Sequence, residues 1–93
     1  MMPSFSERAS SLEAETLGKV SYSLSKIEAA LAELSAMKER TAEQETVRAY
    51  LESSHRLLSG WARESLTGPK DGAAGRLRRF AEICAELDSG RPS

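Results

Sequence analysis

One histidine, one cysteine and two aspartates are the scarce reactive side chains of this 93-residue sequence, and their spacing limits the chemistry open to it. Glu52-Ser-Ser-His55 has the Glu-x-x-His spacing with which helical bundles hold paired metal ions, since residues three apart share a helix face. Such a centre needs the motif twice and two further carboxylates. His55 is alone, and it and Glu52 fall beside the apolar stripe of their helix, so no metal site is expected. Ser53 and His55 are two residues apart and point to different sides of a helix, with no orienting acid or oxyanion donor to complete a triad. Cys84 has no partner for a disulfide. It lies on an apolar stripe, where a free Cys behaves as a small hydrophobe, whereas a reactive thiol needs exposure and nearby positive charge. Gly72-Ala-Ala-Gly75 lacks the Lys and the preceding strand of a phosphate loop. The sequence reads as a non-enzyme with no cofactor, no metal and no evident small-molecule substrate.

Arg76, Arg78 and Arg79, with Lys70 nearby, form the one basic cluster. On a helix Arg76 and Arg79 are neighbours and Arg78 points elsewhere. An anion contact is one reading of the three. The other is a solvated face paired with Glu82 and Glu86 at intrahelical spacing. Weak nucleic-acid or phosphate binding by this helix is therefore an alternative function, held back by a formal net charge of −1 and by the lack of aromatic interleaving, a zinc pattern or a recognition-helix motif beside the arginines.

The elements that position these residues are helical. Val and Ile occur twice each and no segment alternates with period two, which argues against strands. Leu17, Val20, Leu24, Ile27, Leu31 and Leu34 form an a/d heptad seam, flanked mainly by small residues rather than the opposed charges of a parallel coiled coil. Phe5, Ala9 and Leu12 have helical spacing but are out of phase with that seam. Two capping boxes compete for the helix start, Ser4-Phe-Ser-Glu7 and Ser10-Ser-Leu-Glu13. After Leu34 the seam positions turn polar, and Thr41-Ala-Glu-Gln44 is itself a capping box. Val47, Tyr50, Leu51, Ser54, Leu57, Leu58 and Trp61 then share one broad face, with Gly60 leaving room for another backbone beside Trp61. Thr67-Gly-Pro69 stops this helix, Asp71 is placed to cap a third, and Leu77, Phe80, Ala81, Cys84 and Leu87 form its stripe.

The expected fold is all-α: one small domain over 1–93, an antiparallel helical hairpin with a shorter third helix, in effect a small three-helix bundle. The helices are expected at about 6–40, about 42–66 and about 72–88, with a loop at 67–71 and a frayed C-terminal tail. Leu, Ile, Val and Phe make up 17 of the 93 residues, a modest core for a chain this short. Burial against a second surface would add to it. The expected function is protein–protein interaction, as an adaptor, inhibitor or chaperone-like subunit that binds a partner helix or a second copy of itself. Leu24, Ile27, Leu31 and Leu34 would form that surface, with Tyr50, Leu58 and Trp61 opposite. The competing expectation is that these side chains face one another as a monomer's core. In size and layout the chain is similar to the small helical-hairpin chaperones of bacterial secretion systems, which implies a secretion-type chaperone as the alternative function. The likeness rests on no shared motif, so it carries over no binding residue. No apolar run is long enough to span a membrane and the N-terminal residues lack a signal-peptide pattern. The lone Cys suits a reducing compartment, so the chain is expected in the cytoplasm.

Overall fold

The computed structural model describes residues 5–89, with the backbone alone for Ser6 and Lys70. The Ser4 capping box, the side chain of Lys70 in the basic cluster and the tail from Gly90 lie outside the described residues. The chain forms three α-helices, α1 (Phe5–Ala36), α2 (Ala42–Thr67) and α3 (Ala73–Asp88), with a short 3-10 turn at Lys70–Gly72. No strand occurs among the described residues, and no helix is long and apolar enough to cross a membrane.

α1 ends at Ala36, four residues before the expected stop at Arg40. Beyond Leu34 the helix has no apolar side chain on its seam, and Arg40 turns back to do what a further helical turn would have done. Its guanidinium donates to the carbonyl oxygen of Leu34 at 2.9 Å and pairs with Glu45 across the turn. This carbonyl of the last turn, which also accepts the Met37 N–H at 3.3 Å, thereby gains a second and shorter hydrogen bond. α2 begins with the expected capping box: the Gln44 backbone N–H donates to Thr41 Oγ1 at 3.1 Å, and Thr41 N–H donates to Gln44 Oε1 at 2.9 Å. Gly68 closes α2 by donating its N–H to the Glu64 carbonyl at 2.8 Å. Asp71, expected to cap α3, sits inside the 3-10 turn instead. Gly72 takes the N-cap position, which receives no side-chain hydrogen bond.

The short turn at 37–41 folds α2 back antiparallel to α1, and a 3.0 Å contact between His55 Nε2 and Glu28 Oε2 joins the two midway. α3 then runs back along α2 and parallel to α1. At one end Trp61 Nε1–H donates to the Arg76 carbonyl at 2.7 Å; at the other the Tyr50 hydroxyl donates to the Leu87 carbonyl at 3.3 Å. The rod measures 58 × 22 × 20 Å. At 1.5 Å per residue the 16-residue α3 covers about 24 Å of that length.

The core lies where all three helices meet: Val20 from α1, Leu58, Trp61 and Ala62 from α2, and Ile83 from α3. Leu17, Leu24, Ile27, Leu57, Phe80 and Leu87 pack around them. Leu34, Leu58 and Trp61, expected to offer themselves to a partner, are buried within the chain, and Leu24 and Ile27 pack against its core. For Leu58 and Trp61 the reason is α3, whose stripe fills the groove that a hairpin alone would leave open at Trp61; Leu34 lies past the end of α3 and is buried within the hairpin itself. Gly60 does not admit a neighbouring backbone, since a Cβ built there meets nothing within 4 Å.

Candidate functional site

The reactive side chains found in the sequence are not gathered into one site. His55 pairs with Glu28 on α1, while Glu52 pairs with Arg48 at 3.3 Å, so the Glu-x-x-His residues look to different partners. No group of three His, Cys, Asp or Glu side chains able to hold a metal occurs among the described residues. Cys84 is half-buried, and burial, reinforced by the negative charge of Asp88, pushes its thiol above the ordinary value. Thiolate is the reactive form. Alkylation of Cys84 by iodoacetamide at mildly alkaline pH is therefore expected to run slower than that of free cysteine, and an equal or faster rate would contradict the described environment.

The three arginines of α3 have separate fates. Arg76 turns inward and binds both oxygens of Glu13 on α1, with Nη2 to Oε1 at 3.0 Å and Nε to Oε2. Arg79 lies 3.4 Å from Glu82 on its own helix. Arg78 is exposed and makes no ion pair among the described residues. The three arginines that one sequence reading offered as an anion site are thus dispersed, and the most enclosed of them, Arg76, is already neutralised.

Glu13 and Arg76 form the wall of an open cleft of about 800 Å³ between the first half of α1 and the α2–α3 connection, shared with Ser65, Leu66 and Asp71. The guanidinium of Arg76 fills space that Gly68 and Gly72 leave vacant. A Cβ on Gly68 would stand 2.5 Å from Arg76 Nη1, and one on Gly72 2.7 Å from the same atom. Arg76 holds the Glu13 carboxyl below its ordinary value, against the upward push of burial and with help from a Ser65 hydrogen bond. A carboxylate whose pKa is depressed by folding stabilises the folded chain at pH above its unfolded value, and that contribution is lost as pH falls through the folded one. Wild-type stability is therefore expected to exceed that of Glu13→Gln by a constant margin at neutral pH, a margin that shrinks once pH drops below about 4.5. Urea unfolding of both chains across that range is the measurement.

Apolar surface remains uncovered at both ends of the bundle among the described residues. At the hairpin end, α3 stops at Asp88 beside Tyr50, so residues 31–36 and 42–49 carry no third helix among the described residues. Half-buried Leu31 and Tyr50 lie there with Val47, which is 50% exposed. At the opposite end, Phe5, Arg8, Ala9 and Leu12 of α1 and Ala74 and Leu77 of α3 line a groove of about 350 Å³. Phe5 is 76% and Leu12 54% exposed. The sequence does carry the signal for this second surface. The five-residue step from Leu12 to Leu17 rotates the apolar stripe by about 140° at 3.6 residues per turn, sending Phe5 and Leu12 away from the α2 interface without breaking the helix. No known protein family, curated protein or solved structure matches this chain.

Proposed function

We propose that this chain is a non-enzymatic protein–protein interaction protein, an adaptor, inhibitor or chaperone-like subunit of the cytoplasm, that takes a partner helix or a second copy of itself onto apolar surface its own helices leave open. The observation that carries this reading is the uncovered hairpin end. There the a/d seam continues through Leu31 past the last residue of α3, beside an exposed Val47. A third helix stabilises the rest of the seam by removing it from water, at about 25 cal/mol per Å² of apolar surface. The same gain is available to any helix laid on this end.

The test is size-exclusion chromatography with light scattering, over a wide concentration range, on wild type and Val47→Glu, with far-UV circular dichroism on the same samples. The reading expects an assembly, with itself or with a co-purifying protein, that Val47→Glu dissolves while leaving the helical signal intact. A chain that stays monomeric and unaccompanied at every concentration would overturn it.

A further inference from the structure

We propose that the groove between the start of α1 and the start of α3 is a docking site for an acidic amphipathic helix of another protein. This rests on the interaction reading above but uses a different surface, about 30 Å away along α1 at 1.5 Å per residue. The two therefore fail separately.

The groove has the shape a helix needs. α1 and α3 run parallel here, and the small residues Ala9 and Ala74 form its floor between the larger Phe5, Leu12 and Leu77. Helices pack at interaxial distances of 8–10 Å when small side chains face the contact. A helix laid in the groove opposite α2 would complete a four-helix arrangement, with anchors spaced at i, i+3 or i+4 and i+7. Phe5 and Leu12 meet water in the free chain, and an occupant would cover both.

Charge selects the occupant. Arg8 lines the groove; exposed Arg78 is not part of the lining but lies one turn on from Ala74, which is. Neither arginine makes an ion pair among the described residues. Further along α1, Glu15 and Lys19 follow Leu12 on the same side and offset one another. Glu82, one turn beyond Arg78, is offset by Arg79 at 3.4 Å, so Arg8 and Arg78 leave the rim with a net positive charge. A symmetric dimer would set the same patch against itself, bringing Arg8 and Arg78 of one copy against those of the other. Like charges disfavour that pairing. A helix flanked by Glu or Asp satisfies both arginines while its apolar face covers Phe5 and Leu12.

The probe is a fluorescein-labelled helical peptide of about five turns with Leu at its a and d positions and Glu at e and g. A second peptide carries Lys at e and g. Binding to the full chain is followed by anisotropy, and the fold of each variant by circular dichroism. The Glu peptide is expected to bind saturably, and the Lys peptide at least about tenfold more weakly. Leu12→Ser should weaken the Glu peptide by about tenfold. The double charge reversal Arg8→Glu with Arg78→Glu should exchange the preference of the two peptides, and Val47→Glu should leave both affinities unchanged. Equal binding of the two peptides, no binding of either, or binding that Leu12→Ser leaves intact overturns the proposal. Loss of binding in Val47→Glu but not in Leu12→Ser overturns it too, and assigns the helix to the hairpin end. Self-association that Leu12→Ser abolishes would give the groove to a second copy and overturn the acidic partner.

Discussion

Trp61→Ala is expected to remove about 3–5 kcal/mol of stability. The folded state of a chain this size is stabilised by only about 5–14 kcal/mol, at roughly 0.05–0.15 kcal/mol per residue. Trp61 is 2% exposed and is, with Ile83, one of the two large side chains most completely removed from water. It touches every layer of the bundle. Its ring sits in the cluster with Val20 of α1 and Ile83 of α3, and its centroid lies 5.0 Å from that of Phe80 at an interplanar angle of 52°. A tilted pair of this kind adds about 0.5–1.5 kcal/mol to the area buried. Its indole N–H also donates to the Arg76 carbonyl in the first turn of α3. Truncation leaves a cavity and removes a second donor from a carbonyl that α3 already pairs internally. Trp61→Phe keeps most of the volume and loses only this added hydrogen bond, so its cost should be nearer about 0.5–1.5 kcal/mol, the net worth of one such bond. Urea unfolding followed by circular dichroism measures both variants, because both remove the only tryptophan. A Trp61→Ala cost below about 1 kcal/mol would mean that this side chain does not hold α3 to the hairpin.

The number and order of the helices were legible because their signals are local. Thr41 and Gln44 are three residues apart and make the capping box that their types imply. Gly68 followed by Pro69 ends α2 within one residue of where a chain lacking a helical N–H must stop. The end of α1 was not legible in the same way. A polar run from Lys38 to Thr41 is compatible with a solvated helix, and the deciding contact, Arg40 reaching back to Leu34, depends on a turn that must already exist. The largest misreading concerned Arg76. A cation in the first turn of a helix opposes the macrodipole, which suited a solvated or anion-binding role. The side chain instead meets Glu13, 63 residues earlier, whose negative charge offsets that cost. Neither residue announces the other. Glu13 reads as a capping-box acid, and only the docking of α3 parallel to α1 brings the two together. The interaction surfaces divide along the same line. Trp61 and Leu58 lie on an apolar face that sequence assigns equally well to a core or an interface, and the length and position of α3 decide the matter. Phe5 and Leu12 did show in the sequence, as a stripe out of phase, but the groove they form needs Ala74 and Leu77 from the far end of the chain.

Gly18→Ala combined with Gly60→Ala is expected to stabilise the fold by about 2 kcal/mol, since Gly costs about 1 kcal/mol relative to Ala at each helix-interior position. Both residues lie well inside helices, α1 and α2 respectively, and both are exposed. A Cβ at either position meets nothing within 4 Å, and neither has the left-handed backbone that an L side chain resists. The added methyl groups therefore meet no steric cost, while the unfolded chain loses conformational freedom at two sites. The positions sit on different helices without a shared neighbour, so the gains should add to within about 0.5 kcal/mol. For a domain of this size that corresponds to a rise in melting temperature of roughly 8–16 °C. Gly75 is equally open but occupies the first turn of α3, where the benefit of Ala is smaller, so it serves as an internal comparison. Thermal unfolding of the double variant reads the result. A gain below about 1 kcal/mol would mean that these helices are not continuous through Gly18 and Gly60 in solution, since the propensity difference applies only where the backbone is helical. Gly60 also lies in the shallow cleft between α2 and α3 above Trp61 and Ile83. A Gly60→Ala single variant that gains stability yet loses association would place a partner's close approach at Gly60, whose missing side chain the fold itself does not require.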